Sequence, residues 1–351
     1  MSSFSIGVDL GGTNLRIAAV DSSGNLLEKL TLGSHISRGR DYVLEEMSNA
    51  IKTVASGFRQ KYKLTGVGIG VPGIIEKATG RVIKSPNLPD WLNYPVKEEI
   101  ERRLNSLVVL ENDANAAALG EYWLGAARDV DAMCIVTLGT GVGGGIVVNG
   151  DIWDGMTGMA GEFGHVNIEP EGHPCNCGSR GCAEQLASAT AVVRMAKEAI
   201  ATGRAEALAN AARGDVEFSA KSVFHLALQG DEAATAIFNK VGWALGILIS
   251  DLVNIFNFPM YVIGGGVSSS WQAFSGPMFK EIHTRSMVYA ATAPPIAMET
   301  SGAAATPRQA DGSSRCTIVA RALLGSDAGL FGAARLPFLR SKEAQPVTTP
   351  V

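Results

Sequence analysis

Four side chains of the kinds that ligate transition metals lie within eighteen residues of this chain. They are one histidine and three cysteines: His165, Cys175, Cys177 and Cys182. One imidazole and three thiolates suit tetrahedral Zn²⁺, and four protein ligands would close the site and make the metal structural. His173 is a competing ligand, but its position beside Pro174 is less favourable. Redox chemistry of a C-x-x-C pair is the alternative, and the observed spacing C-x-C-x₄-C favours zinc.

Three glycine-rich segments could bring backbone N–H groups close to an anion, because glycine has no Cβ in the way. In Asp9-Leu10-Gly11-Gly12-Thr13-Asn14, Asp9 would end a strand and could hold Mg²⁺ through water, although an ordinary hairpin turn is the alternative. The segment Gly139-Thr140-Gly141-Val142-Gly143-Gly144 matches the dinucleotide fingerprint, but a predicted strand follows instead of a helix. We therefore interpret it as a second phosphate-binding hairpin. Gly264-Gly265-Gly266 could receive a nucleotide base or ribose, or form a tight strand-to-helix turn.

Several carboxylates could act together on one ligand. Asp113 follows an apolar strand and could accept a proton from a substrate hydroxyl, the alternative being a helix N-cap. Glu162 lies three residues before His165, and Glu184 lies two residues after the third cysteine. A metal loop that fixes His165 would also position both glutamates. Converging carboxylates, an asparagine and a histidine suit a polyhydroxylated ligand, since each hydroxyl both donates and accepts hydrogen bonds.

The elements that must position these residues follow from periodicity and turn signals. A strand, a glycine-rich turn and a second strand open each half of the chain, which indicates an internal duplication and two α/β lobes facing each other across a cleft. Between 151 and 184 we expect loops, at 300–315 a polar surface insertion, and at 341–351 a frayed tail. Strands are predicted within 3–20 and at 26–32, 64–71, 107–111, 132–138, 145–148 and 260–263, and helices at 41–60, 96–104, 113–125, 189–202, 205–213, 220–229, 232–256 and 327–335.

Composition excludes several classes of protein. The 351 residues are 46% hydrophobic and 18% charged, which is too apolar for a disordered chain and long enough for two cores. A net charge of −4 gives no electrostatic footprint for nucleic acid or anionic lipid. The N-terminus does not have the pattern of a secretory signal, and the longest uncharged stretch, 252–279, contains asparagines, a proline and three consecutive glycines. We expect a soluble, cytoplasmic protein.

Nine stretches between Ile6 and Arg335 together resemble the ROK family of sugar kinases, which belongs to the actin-like ATPase superfamily. They are VDLGGTNLR, GVGIGVPG, SPNLPDW, ENDANAAALGE, TLGTGVGGGI, GEFGH, CNCGSRGCAE, IGGGVS and GSDAGLFGAA. The resemblance implies an α/β, two-domain actin-like ATPase (ribonuclease H-like) fold with a cleft between the domains. The expected domains are 1–113, completed by a C-terminal helix at about 320–338, and 114–319 with a zinc loop at 165–182, followed by a flexible tail at 339–351.

By motif, the resemblance assigns a role to each candidate residue. Asp113 corresponds to the catalytic base. Sugar binding is implied for Asn112, Asp113, Glu162, His165 and Glu184, with Gly73 and Asn87 as further contributors. ATP and Mg²⁺ binding is implied for Asp9, Gly11, Gly12, Thr13, Gly139, Thr140, Gly141, Gly265 and Gly266, and structural Zn²⁺ binding for His165, Cys175, Cys177 and Cys182.

The implied activity is ATP-dependent phosphorylation of glucose to glucose 6-phosphate, with Asp113 as general base on the 6-hydroxyl. Other substrates stay open: fructose, allose, N-acetylmannosamine or N-acetylglucosamine, and polyphosphate as the phosphoryl donor. A sugar-responsive repressor is a further alternative. It would need a DNA-binding domain before the first strand, which begins by about Ser3. We expect no nucleic-acid or membrane partner, and a homodimer or homotetramer.

Overall fold

The structure is a computed structural model and describes residues 2–85, 87–214, 218–296, 299, 302 and 316–343. The insertion predicted at 300–315 lies outside the described residues except for Gly302, as does 344–351 of the predicted tail. The strands are β1 (Ser3–Leu10), β2 (Asn14–Asp21), β3 (Leu26–Gly33), β4 (Lys63–Val71), β5 (Ile74–Glu76), β6 (Arg81–Lys84), β7 (Val108–Asn112), β8 (Ala132–Leu138), β9 (Val142–Val148), β10 (Asp151–Ile152), β11 (Met260–Gly264) and β12 (Ile318–Arg321). The helices are α1 (Arg40–Ser56), α2 (Val96–Leu104), α3 (Asp113–Trp123), α4 (Glu184–Ala187), α5 (Ala189–Ala201), α6 (Glu206–Gly214), α7 (Ala220–Leu228), α8 (Glu232–Phe256), α9 (Trp271–Arg285), α10 (Met287–Thr292) and α11 (Ala328–Glu343).

Two five-stranded sheets share one strand order. The first sheet runs β3-β2-β1-β4-β7, with β1 parallel to β4, β4 parallel to β7, and antiparallel β1–β2 and β2–β3 pairs. The second runs β10-β9-β8-β11-β12, and β11 is parallel to both β8 and β12. Numbered within its own sheet, each has the order 3-2-1-4-5. This shared order supports the internal duplication that the sequence indicated.

Two compact units contain the described residues. The first comprises the described parts of 1–128, 145–160 and 326–351, and the second comprises those of 129–144 and 161–325. Helix α3 therefore belongs to the first unit, whereas the sequence analysis placed the residues after 113 in the second domain. The reason is that α3 packs against α11 and against strands β4 and β7.

The first unit depends on glycines where α11 meets its neighbours. A Cβ on Gly68 of β4 would lie 1.8 Å from the carbonyl oxygen of Ala333, and one on Gly332 would lie 1.6 Å from the carbonyl oxygen of Ala116 in α3. Only a hydrogen fits in such gaps, so these positions require glycine. Helix α11 thus lies directly on the first sheet and on α3.

The sequence analysis missed several elements. The short hairpin β5–β6, strand β12 and helix α10 were not predicted, and α11 is longer than the predicted 327–335 and includes 341–343 of the predicted tail. Helix α9 was also missed, because Gly276 and Pro277 lie inside it and such residues usually mark turns. Its packing against α8 supports it: a Cβ on Gly242 would lie 2.3 Å from the carbonyl oxygen of Phe274.

Among the described residues, one helix is long and apolar enough to cross a membrane by length and composition. It is α8, with a mean hydropathy of 1.5 over an 18-residue window. Within that window, 67% of the residues are buried inside the fold, as in the core helix of a globular protein.

Candidate active site

The first glycine-rich turn connects β1 to β2. The Gly11 N–H closes the turn by donating to the Asn14 carbonyl at 2.9 Å. The Ser34 hydroxyl, which is not part of the turn, stabilises it by donating to the Gly12 carbonyl at 2.8 Å. Gly12 is exposed, and a Cβ there would meet no atom of the described residues within 4 Å. Protein packing therefore does not explain this glycine, whereas close approach of a ligand would explain it.

Asp9 is the penultimate residue of β1, beside this turn, and forms an ion pair that the sequence analysis missed. Its Oδ2 lies 3.1 Å from an Arg16 guanidinium nitrogen, which also donates to the Ser326 carbonyl at 2.9 Å. Burial raises the pKa of Asp9, and Arg16 partly offsets this by favouring the charged form. The hairpin register pairs Asp9 with Arg16, so the turn length could have revealed the contact. The proposed Mg²⁺ role of Asp9 stays a prediction.

Asn112 and Asp113 occupy the junction of β7 and α3. Asn112 is the N-cap of α3: its Oδ1 accepts from the N–H groups of Ala114 at 2.8 Å and Asn115 at 3.2 Å. The alternative that Asp113 caps the helix is therefore wrong, since Asp113 is the first helical residue. The Asn112 amide also donates to the Gly73 carbonyl at 3.0 Å. Gly73 needs its positive φ of 117°, and a Cβ there would meet the Lys84 carbonyl at 2.4 Å.

Asp9 and Asp113 lie at the same edge of the first sheet. Strand register aligns Asp9 with Gly70 and Gly70 with Glu111, two residues before Asp113. A Cβ on Gly329 would lie 3.5 Å from Asp9 Oδ1 and 3.8 Å from the Asp113 carbonyl oxygen. The carboxyl ends of parallel strands are where α/β proteins place ligand-binding groups.

Asn87 lies outside both the glycine-rich turn and the β7–α3 junction that contain other candidates of the first unit. It is exposed in the loop between β6 and the 3₁₀ helix Pro89–Trp91. Its proposed contact with the sugar stays a prediction.

The second glycine-rich turn connects β8 to β9. The Gly139 N–H donates to the Gly141 carbonyl at 2.9 Å, and strand β9 starts at Val142. A strand therefore follows the G-x-G-x-x-G match where the dinucleotide fingerprint needs a helix, as predicted. Helix α5 holds the turn from outside, because Thr190 donates through its hydroxyl to the Thr140 carbonyl at 2.7 Å.

Glu184 contacts this turn, which was not expected. Its Oε2 accepts from the Val142 N–H at 3.1 Å, and its Oε1 lies 4.0 Å from Cys175 Sγ. A Cβ on Gly141 would lie 2.3 Å from the same Oε2. Glu184 thus connects the second glycine-rich turn to the cysteine cluster, and a contact across 42 residues leaves no local sequence signal.

His165, Cys175, Cys177 and Cys182 form one cluster in the second unit. Their ligand atoms all lie within 4.8 Å of one another. Two separations are 3.7 Å, from Cys175 Sγ to His165 Nδ1 and from Cys177 Sγ to Cys182 Sγ. Tetrahedral Zn²⁺ with ordinary bond lengths separates such atoms by about 3.5–3.8 Å. The donor set therefore fits zinc in chemistry and in spacing. His173 is outside the cluster and contacts the Pro174 carbonyl through Nδ1 at 2.9 Å.

His165 has two different neighbours at its two ring nitrogens. Nδ1 faces Cys175, while Nε2 lies 4.0 Å from Glu162 Oε2. Both side chains are partly exposed, at 35% for His165 and 49% for Glu162. One nitrogen can therefore serve a metal while the other contacts a ligand beside Glu162.

The third glycine-rich segment ends β11. Gly265 has φ of 81°, and a Cβ there would lie 2.5 Å from the Leu138 carbonyl oxygen. This glycine is required by a tight strand-to-helix turn, the alternative named above. Gly266 begins a 3₁₀ helix, and in the part of the chain that the structure describes no atom lies within 4 Å of its added Cβ, which leaves room for a ligand.

Comparisons with known proteins identify the family. The chain is 40% identical to a glucokinase of Thermotoga maritima over 277 residues, which cover 79% of this chain and 86% of that protein. A ROK family glucokinase from Streptomyces griseus, solved in complex with glucose and AMPPNP, is 34% identical with a TM-score of 0.72, covering 95% and 99% of the two chains. A xylose repressor of Caldicellulosiruptor bescii is 31% identical over 81% of this chain and 71% of that protein.

The fold class implied by the resemblance is confirmed, since the solved ROK sugar kinases that the chain resembles have the actin-like ATPase fold. The sequence pattern of the ROK family matches residues 5–337. The chain belongs to the ROK family.

Proposed function

We propose that this protein is a glucokinase that transfers the γ-phosphoryl group of ATP to the 6-hydroxyl of glucose. The observation that carries the proposal is the likeness, over nearly the full length of both chains, to a glucokinase solved with glucose and AMPPNP. The glucokinase of Thermotoga maritima supports it independently. The three open glycine positions, Gly12, Gly139 and Gly266, and the Asp9–Asp113 edge supply groups that such a reaction needs.

Asp113 is the proposed general base. The glucose O6 attacks the γ-phosphorus, its proton passes to the Asp113 carboxylate, and the bond from phosphorus to the β–γ bridging oxygen breaks to release ADP. Asp113 is half-buried at the start of α3. Its backbone is held in place because Asn112 caps the same helix. Positioning and charge stabilisation account for most of the catalysis of phosphoryl transfer, so a base fixed by a helix start suits the step.

The phosphates of ATP are proposed to bind at the two glycine-rich turns, Gly11–Thr13 and Gly139–Gly141. Gly12 is exposed and the other glycines of these turns are half-buried, and because glycine has no Cβ their backbone N–H groups can approach the phosphate oxygens. Gly265 and Gly266 would contact the adenosine. Mg²⁺, which Asp9 would hold, supplies positive charge to the phosphates when it is bound.

Glucose binding is proposed for Asn112, Asp113, Gly73, Asn87, Glu162, His165 and Glu184. The Asn112 side chain is already engaged with Gly73 and the α3 N-terminus, so its main contribution is to fix its neighbours. Zn²⁺, held by His165, Cys175, Cys177 and Cys182, would supply a fixed link that orients the His165 ring when it is bound.

Related functions follow from the same family and remain alternatives. Another hexose or an N-acetylhexosamine would use the same base, and polyphosphate could replace ATP. The likeness to a xylose repressor favours a sugar-responsive regulator as the second candidate function. We further propose a cytoplasmic homodimer or homotetramer without a membrane or nucleic-acid partner. The burial of α8 supports the proposal that there is no membrane partner.

The test is an ADP-release assay with Mg·ATP against glucose, mannose, fructose, allose, N-acetylglucosamine and N-acetylmannosamine. Preference for glucose, with glucose 6-phosphate as the product, supports the proposal. Preference for an N-acetylated sugar keeps the mechanism and changes the substrate. Sugar binding without turnover, with ATP or with polyphosphate, overturns the kinase proposal in favour of a regulator.

The role of Asp113 is tested by Asp113→Asn, which keeps the shape of the side chain and removes the base. We expect kcat to fall by about 10²–10⁴-fold while the zinc content and the melting temperature stay near those of the wild type. Asp131→Asn, at an exposed carboxylate, is the matched control and should keep full activity. An Asp113→Asn enzyme with most of its kcat intact would remove Asp113 from the mechanism.

A further inference from the structure

Glu111, next to Asn112 and Asp113, is a buried carboxylate with every oxygen in use. Its side chain is 4% exposed. Oε1 accepts from the Asn112 N–H at 2.9 Å and from the Asn115 amide at 3.1 Å, and Oε2 lies 2.7 Å from Lys77 Nζ. A carboxylate this deeply buried stays charged only if a cation and hydrogen-bond donors compensate for lost hydration.

Lys77 is the cation that compensates this charge. It lies in the turn between β5 and β6, its side chain is 23% exposed, and its ammonium also contacts Asp154 Oδ2 at 2.5 Å. Asp154 belongs to the segment 153–160, whose chain continues into Gly161 and Glu162. One ammonium group therefore connects the β5–β6 hairpin, the end of β7 and the 153–160 segment, all within the first unit.

We propose that Lys77 is a positioning residue of the kinase, which acts through Glu111 on the junction that holds Asp113. The proposal deepens the proposed function and rests on it. The charged Glu111 holds the Asn112 N–H, and Asn112 in turn caps α3 and binds the Gly73 carbonyl. Loss of Lys77 leaves the buried Glu111 carboxylate without its cation, and the rearrangement that relieves this weakens its hydrogen bond to Asn112.

The geometry distinguishes Lys77 from an ordinary surface lysine. Exposed ion pairs contribute little, whereas removal of one partner of a buried pair leaves a charge without compensation. Lys84, at the end of β6 in the same hairpin, is exposed and provides a matched control with the same charge. Lys77 lies in none of the motifs that identify the family, so sequence reasoning did not select it.

The experiment compares the steady-state kinetics of Lys77→Met, Lys77→Arg, Lys84→Met and the double variant Lys77→Met/Glu111→Gln. A misplacement of about 1 Å at a reacting group can cost on the order of 10²-fold in rate. We therefore expect Lys77→Met to lose roughly 10–100-fold in kcat, while the KM for ATP stays within about twofold of the wild-type value. Lys77→Arg should restore most of kcat, and Lys84→Met should match the wild type.

The double variant tests whether the charge of Glu111 transmits the effect. The neutral amide introduced by Glu111→Gln would still accept from the Asn112 N–H through its oxygen but would bury no charge. The double variant should therefore recover most of the kcat lost in Lys77→Met. A role of Lys77 in packing alone predicts no such recovery. If Lys77→Met fails to fold, the double variant carries the test on its own, because it leaves no buried charge unpaired.

Three results overturn the inference while the proposed function stands. The first is a Lys77→Met enzyme with the kcat of the wild type. The second is a loss of kcat in Lys84→Met equal to that in Lys77→Met. The third is a folded double variant that is inactive or has a kcat as low as that of Lys77→Met. Failure of the wild-type protein to phosphorylate any sugar overturns the proposed function instead, and the positioning role with it. The two failures are therefore distinguished by the wild-type rate measured in the same assay.

Discussion

Replacement of Gly332 by alanine should loosen the helix pair that holds the proposed base. The added Cβ would lie 1.6 Å from the Ala116 carbonyl oxygen and 2.8 Å from the Gly120 N–H nitrogen, both backbone atoms of α3. Ordinary contacts to a Cβ begin near 3.4 Å, so α3 and α11 must separate at this point. Overpacking costs about 1–3 kcal/mol, and a clash with backbone belongs at the upper end. The helix propensity of alanine offsets about 1 kcal/mol, which leaves about 2 kcal/mol of destabilisation.

Gly329→Ala is the matched control, three residues earlier in the same helix. Its Cβ would have contacts at 3.5–3.8 Å, which are ordinary van der Waals distances. For a folding unit of about 150–250 residues, a loss of 2 kcal/mol lowers the melting temperature by roughly 4–8 °C. Calorimetry should show this shift for Gly332→Ala, accompanied by a lower kcat because Asp113 begins α3. The reasoning is refuted if Gly332→Ala melts at the same temperature as Gly329→Ala.

Three further predictions concern the metal cluster and Asp9. Removal of zinc by a chelator, or Cys177→Ser, should lower the melting temperature and raise the KM for glucose more than the KM for ATP, as measured by calorimetry and steady-state kinetics. Gly181→Ala should lose more bound zinc than Gly178→Ala, as measured by metal analysis. Both glycines have positive φ, but a Cβ on Gly181 would lie 1.6 Å from the Glu169 carbonyl oxygen, whereas one on Gly178 would meet no described atom within 4 Å. Arg16→Gln removes the charge that lowers the pKa of Asp9, so this pKa rises further and the acidic limb of the kcat/KM profile moves to higher pH.

Each of these predictions has a contrary result. Full stability after complete removal of zinc would show that the cysteine cluster does not need a metal. Equal zinc content in the two glycine variants would show that the loop yields at Gly181. For the pH profile, Arg16→Lys keeps the charge and is the control. An acidic limb that does not move in Arg16→Gln would mean that Asp9 does not need to be ionised for activity.

The elements around the two glycine-rich turns were predictable because their signals are local. Strands β1 and β2 are buried runs around a Gly-Gly turn, and α1 has apolar residues at helical spacing, with Leu44, Met47 and Val54 each at most 1% exposed. Helix α9 was not predictable in this way. It contains Gly276 and Pro277, and what supports the helix is its packing against α8, where Pro277 lies beside Gly242; this is a tertiary effect.

In the candidate site too, features formed by residues close in sequence were predictable, whereas contacts between distant residues were not. The cysteine cluster and the Asp9 turn were found because their residues are close in sequence. The contact of Glu184 with Val142 and the pairing of Lys77 with Glu111 join residues more than thirty positions apart, with no periodic pattern between them. Such contacts depend on the tertiary arrangement of the loops around the sheet, and a single sequence has no local pattern that indicates this arrangement. The resemblance supplied a sugar role for Glu184 but not its hydrogen bond to the turn.

The long stretch of chain between β2 and α11, which belong to the same unit, has a consequence for biosynthesis. Ala18 and Val20 of β2 pack with Leu330 and Ala334 of α11, and all four are fully buried. During translation at about 5–20 residues per second, roughly 10–40 s pass between the synthesis of Arg128 and that of Ser326. Throughout that interval the nascent first unit lacks α11, so the apolar face formed by Ala18 and Val20 and the surface at Gly68 are exposed to water. The unit can therefore reach its native state only after α11 has been synthesised and has emerged from the ribosome, and until then this face is where a chaperone would bind.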